Sequence, residues 1–145
     1  MKSSDNVDCS IHQLVFKFCD CPPQIFSGKN LRAFSLLTDW GSVVTWGVAD
    51  NDGDSRGVAE QLSTGVQTVV GNSEAFAAVK VDGSVVTWGR AVFGGDSRGV
   101  AEQLSSGVQT VVGNMAAFAA VKVDGSVVTS GLEVGFHPLQ RGGPW

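Results

Sequence analysis

The chain has 145 residues, 43% hydrophobic and 17% charged, a balance that suits a folded domain rather than a disordered segment. Its net charge of −4 argues against a nucleic-acid footprint, which needs a basic patch or stripe. No apolar run approaches the ~18 residues of a spanning helix, and Met1-Lys2-Ser3-Ser4-Asp5 does not open a signal peptide, so the expected setting is intracellular, with cytoplasm the default and the nucleus the alternative.

Residues 1–22 match nothing else in the chain. Cys9, His12, Cys19 and Cys21 number four metal-ligand types, yet C-x2-H-x6-C-x-C lacks the paired spacings with which a zinc half-site grips from a tight turn. Unpaired, reduced thiols are the expectation, and no metal or cofactor is expected. Residues 11–18 read as one strand, and Pro22-Pro23 then breaks the chain.

From residue 23 a repeat of 42 residues sets the organisation. Residues 53–89 return at 95–131 with only four differences in 37 positions: Thr64/Ser106, Ser73/Met115, Glu74/Ala116 and Trp88/Ser130. One period earlier, Ala33-Phe34 and Gly41–Gly47 match Ala75-Phe76 and Gly83–Gly89. Pro23–Gly28 aligns with Val66–Gly71 if one residue is inserted, so the first unit is the most worn. Such a period marks a solenoid, propeller or array. The divisions are 1–22, a repeat region 23–131 of about two and a half units with boundaries near 47–89 and 89–131, and an irregular tail 132–145.

Each unit reads as three strands and one short helix. Val66–Val70 is a β-branched run between glycines, and Gly71-Asn72 makes a turn. Ala75–Val81 and Ser84–Trp88 flank Asp82-Gly83, predicted to form a two-residue hairpin turn, which recurs at Asp124-Gly125. Trp40-Gly41 stands there in the first unit, so that hairpin is expected to be less well specified. Phe76 and Ala78 point one way and Ala77 and Val79 the other; with both faces apolar, each sheet should lie between two others. Asp54–Ser63 is predicted to be a two-turn helix with Asp54 or Ser55 as N-cap and Gly65 as left-handed stop. The fold class is therefore mainly β with short helices: a partial β-propeller or a stack of three-stranded blades. Complete propellers have at least four blades, so open blade edges and self-association through them are expected.

The unit closely resembles the repeat of the regulator of chromosome condensation family. The carrying residues are Asp82–Gly89, Phe93-Gly94-Gly95, Gly107–Gly113 and Ala117–Val121, and the shorter repeat of the bacterial beta-lactamase-inhibitor propeller is most similar. Trp46, Gly47, Phe76, Asp82, Gly83, Trp88, Gly89, Phe118, Asp124 and Gly125 are the structural positions of this pattern. The resemblance implies a seven-bladed propeller that binds proteins. It implies guanine-nucleotide exchange on a small GTPase in some members and a partner ubiquitin-ligase domain in others. The chain carries no catalytic ubiquitin-ligase segment and no basic arm, so a non-catalytic protein-interaction module is expected, with a fragment of a larger regulatory protein as the alternative.

Differences between the near-identical units single out one rim. Val48-Ala49-Asp50-Asn51-Asp52 stands against Arg90-Ala91-Val92-Phe93-Gly94, and Ser73-Glu74 against Met115-Ala116. Following the strands up and down puts both sets at the same end of the blades, where loops on a rigid scaffold usually bind. The candidate binding residues are thus Asp50, Asn51, Asp52, Ser73, Glu74, Arg90, Val92, Phe93 and Met115, with Phe93 and Arg90 as expected anchors. The bland alternative is loop drift. Catalytic patterns fail: Asp50-x-Asp52-x-Asp54 lacks the glycine and glutamate of a calcium loop, there is no phosphate-binding loop, and the histidines, His12 and His137, lie outside the repeats. The expectation is that the chain is not an enzyme.

Overall fold

A computed structural model describes residues 23–27, 33–47 and 54–131. The expectations placed on the cysteines, His12, His137, the end segments and Asp50, Asn51 and Asp52 lie outside the described residues.

Among the described residues nine strands form three sheets of three, each an antiparallel meander. The first holds β1 (Gln24–Ser27), β2 (Ala33–Leu37) and β3 (Val43–Gly47). The second holds β4 (Val66–Gly71), β5 (Ala75–Lys80) and β6 (Val85–Gly89). The third holds β7 (Val108–Gly113), β8 (Ala117–Lys122) and β9 (Val127–Gly131). The worn first unit also forms a three-stranded sheet.

The register corrects one alignment. Ile25 pairs with Leu36 as Val69 pairs with Ala78, so β1 is offset by two residues rather than one. A slip of one residue exchanges the faces of a strand, and the consequence is visible: Phe26 packs inward while Ile25 is 64% exposed.

The middle blade is sandwiched as its two apolar faces require. Phe76, Ala78, Val69, Val86 and Trp88 form one cluster with Ala33 and Leu37 of the first blade. Ala75, Ala77 and Val79, on the opposite face, form a second with Val108, Val111, Phe118, Ala120 and Val128 of the third blade. The small residues allow a close approach, and Phe76 stacks on Trp88 at 5.4 Å to fill the wider part of the gap. Each large apolar side chain so buried stabilises the stack by about 1.5–3 kcal/mol. Backbone bonds between blades fix the spacing: Val66 N–H donates to Gly41 C=O and Val108 N–H to Gly83 C=O, each at 2.9 Å.

The hairpins differ in detail from expectation. Gly83 N–H donates to Lys80 C=O and Lys80 N–H to Ser84 C=O, so Val81 and Asp82 occupy the turn and Gly83 follows with φ +84°. This is the three-residue connection with a left-handed glycine, whose twist suits the hairpin as well as a two-residue turn does. Asp82 Oδ1 accepts from the Ser84 amide and hydroxyl, and Asp124 from those of Ser126. The first hairpin keeps the same turn without the aspartate. Thr38 Oγ1 accepts from Ser42 N–H at 3.1 Å, and Gly41 holds φ +77°. It is therefore not less specified; a different side chain closes it.

The predicted two-turn helix is a single 3-10 turn, Arg56–Val58, followed by irregular turns; Arg98–Val100 repeats it. Neighbouring groups outcompete the helix. Asp54 Oδ1 takes the Arg56 amide, Ser55 Oγ bonds Thr45 Oγ1 at 2.7 Å instead of capping, and Leu62 C=O accepts from Val43 N–H. Gly65 does adopt the left-handed conformation, φ +75°. These segments line the outer strands β3 and β6.

Candidate protein-binding rim

The strand register defines two ends of the stack. Gly71 lies opposite Phe76 and Gly89 opposite Ala75, so the turn after β4 and the loop after β6 share one end, with the Asp-Gly hairpins at the other. This places Ser73, Glu74, Arg90, Val92, Phe93 and Met115 on one rim.

The rim is organised by a residue not singled out from the sequence. Asn72 is fully buried; its Oδ1 accepts from Glu74 N–H at 3.0 Å and Ala75 N–H at 2.9 Å, and its Nδ2 donates to Phe93 C=O at 2.6 Å. The signal was present as an Asn after the strand-ending glycine in both full repeats, a position where the side chain mimics a backbone turn. In the third blade Asn114 makes the same two acceptor bonds but is exposed.

Two of the varied positions form one contact. Arg90 pairs with Glu74 at 2.5 Å, its amide donates to Glu74 C=O, and its guanidinium lies 5.7 Å from the centre of the Phe93 ring. In the third blade Ala116 replaces Glu74. Ser73 N–H reaches Met115 C=O at 3.4 Å, which ties the rim turns of adjacent blades together.

Phe93 is half-buried and packs against the cluster containing Phe118. Gly94 beside it, at φ +99°, abuts the Phe118 ring so closely that a Cβ would stand 2.8 Å from it. Phe93 thus supplies apolar bulk beside a blade whose tryptophan position holds Ser130. The apolar groups that the rim does expose are Val92, at 53%, and Met115, at 71%.

Two further ion pairs are local, Arg56–Asp54 and Arg98–Asp96. The Arg98 guanidinium, then its amide, hold the Asp96 carboxyl down to about 2, and Arg56 holds Asp54 well below the usual carboxylate range. Asp54, Asp96 and Arg98 border a groove of about 750 Å³ beside β6, near the Arg56–Val58 and Arg98–Val100 turns, which is lined by none of the rim candidates. Among the described residues there is no cluster of potential metal ligands, and no helix is long and apolar enough to cross a membrane.

No family model matches the chain, and no curated protein does. Solved structures do share its fold, and they are RCC1-type proteins. Yeast RCC1 (Prp20) bound to Kap60 is similar at a TM-score of 0.52 and 18% identity, over 79% of this chain and 30% of that one. Human WBSCR16 gives 0.52 and 20%, over 79% and 34%. Prp20p from Saccharomyces cerevisiae, described with its binding to Gsp1p and histones, gives 0.52 and 18%, over 79% and 32%. The chain therefore spans about a third of the length of the structures it matches. These likenesses bear out the propeller-type fold and the RCC1-like repeat. They also correct the expectation that the chain is not an enzyme. The matched folds include Prp20, described with its binding to Gsp1p and histones, so the failed catalytic patterns are no ground for excluding an activity.

Proposed function

We propose that this chain is a protein-binding unit whose contact surface is the rim carrying Ser73, Glu74, Arg90, Val92 and Met115. One observation carries the reading. Apart from the conservative Thr64/Ser106 change at the hairpin end, the near-identical repeats vary toward one end of the stack, where Asn72 holds turn and loop together from below. A pre-formed rim lowers the ordering cost of binding, and exposed apolar groups beside an arginine suit a protein contact. Arg90 and Glu74 position the loop and offer charge; Val92 and Met115 are the apolar contacts, with Asp50, Asn51 and Asp52 as the matching candidates in the preceding unit.

A photo-reactive amino acid placed at position 92 or 115, with the same probe at position 82 as the opposite-end control, tests this. Cross-links to a partner from the rim and not from the hairpin end support the reading; the reverse pattern contradicts it.

A second reading is favoured by the likeness to Prp20, whose structure was described with its binding to Gsp1p and histones. In it the blades are a section of a regulatory protein acting on a GTPase, and the rim is part of a larger surface. Direct binding to a Gsp1p-type GTPase, abolished by the rim substitutions, separates it from unspecialised scaffolding.

A further inference from the structure

Among the described residues the end blades each leave one face open, and these two faces are the two halves of a joint that the chain already makes twice within itself. In the middle blade, Val69, Phe76, Ala78, Val86 and Trp88 form the front face, each at most 6% exposed beneath the first blade. By strand register, Ile25, Phe34, Leu36, Val44 and Trp46 hold the same positions in the first blade. There Phe34 stacks on Trp46 at 5.6 Å as Phe76 does on Trp88, yet Ile25 is 64% exposed, Val44 51% and Trp46 44%. The back face of the middle blade, which seats Phe118, is Val70, Ala75, Ala77, Val79 and Val85. One period on, Val112, Ala117, Ala119, Val121 and Val127 repeat it residue for residue, and Val112 is 61% and Val127 57% exposed.

We propose that a second copy of this chain covers these faces, the back face of the third blade of one copy seating on the front face of the first blade of the next. The occupant is argued from continuity with the internal joints. A second copy brings a back face of the same five residues that already grips an aromatic front face inside the chain. Neither open face carries a charged residue, so no ion is stripped of water on contact. The association is head-to-tail, which closes into a ring or continues as an open stack according to the rotation at each joint. Leu36 stands where the internal front faces have Ala78 and Ala120, so the joint between copies is less close-fitting than those within, and its assembly depends on concentration.

The test is the solution mass of the full chain by sedimentation over a wide concentration range, with Val44→Glu and Val127→Glu variants checked for fold by circular dichroism. The wild type is expected to rise from the mass of one copy to multiples of it, and each variant alone to remain a single copy. An equimolar mixture of the two is expected to form a complex of two, because one intact back face and one intact front face remain. A wild type that stays a single copy throughout overturns the proposal. So does a mixture that does not associate, or a variant that assembles alone like the wild type, which would mean front-to-front or back-to-back pairing.

Discussion

Asn72 Nδ2 donates to the carbonyl oxygen of Phe93 at 2.6 Å, joining the turn after β4 to a loop 21 residues further on. Through this bond and the two that its Oδ1 accepts, one buried amide sets the shape of the rim. Asn72→Ala leaves two backbone N–H groups and one carbonyl without their partners in a buried place. The expected loss is about 2–3 kcal/mol by denaturant unfolding. Asn114→Ala, at the exposed equivalent, is expected to lose under about 1 kcal/mol. Equal losses at the two positions would contradict the account.

The repeated aromatic pair predicts a contrast between blades. Trp88 is 3% exposed under the first blade, and Trp46 is 44% exposed on the open face. Trp88→Ala is expected to cost about 3–5 kcal/mol and Trp46→Ala under about 1.5 kcal/mol, measured on single copies at low concentration. If Trp46→Ala costs as much as Trp88→Ala, something already covers the first blade within the single chain.

Two hairpin glycines separate backbone strain from blade contact. Gly125 has φ +89° and open space where a Cβ would go, so Gly125→Ala should show only the cost of the left-handed conformation, about 1–2 kcal/mol. Gly83 has φ +84°, and its Cβ would lie 2.8 Å from the Gly107 nitrogen of the following blade. Gly83→Ala must also push the third blade away and strain the Val108-to-Gly83 bond. A larger drop in melting temperature for Gly83→Ala than for Gly125→Ala is the expected result.

Acid sensitivity follows from the aspartates. Arg98 holds Asp96 down to about 2, and Arg56 lowers Asp54 further. The hydroxyl and amide of Ser84 and of Ser126 lower Asp82 and Asp124. Each carboxyl is thus more acidic folded than unfolded, where about 3.9 is usual, so its contribution is present above pH ~4 and is lost as pH falls toward the folded value. Asp96→Asn is expected to flatten the fall of melting temperature between about pH 4 and about pH 2, and added salt should shrink the difference. A variant whose melting temperature falls as steeply as that of the wild type would count against the pairing.

Blade architecture was legible because its signals are local and repeated. Alternation along β5 told of two buried faces, and Asp-Gly located the hairpins between β5 and β6 and between β8 and β9. Competition between neighbouring groups was less legible. Asp54–Ser63 has a helical pattern, but Thr45 and Val43 of β3 take the Ser55 hydroxyl and the Leu62 carbonyl, and pairing of this kind depends on distant chain. The face of β1 turned on one residue of register that sequence similarity alone could not place. On the rim, comparing repeats marked where variation gathers but could not distinguish Phe93, which packs inward, from Val92, which faces solvent. Asn72 was read only as a turn residue, because the repeats share it and the comparison sought differences.

The most direct test of the rim as the contact surface is the affinity of a partner identified by cross-linking, measured for Val92→Asp/Met115→Asp against a hairpin-end variant, Asp82→Lys. Neither rim side chain belongs to the buried clusters, so the double variant should keep the wild-type melting temperature while its affinity falls at least about tenfold, and Asp82→Lys should bind like the wild type. Unchanged affinity in the rim variant, with loss in Asp82→Lys, would contradict the account and move the binding surface to the opposite end of the blades.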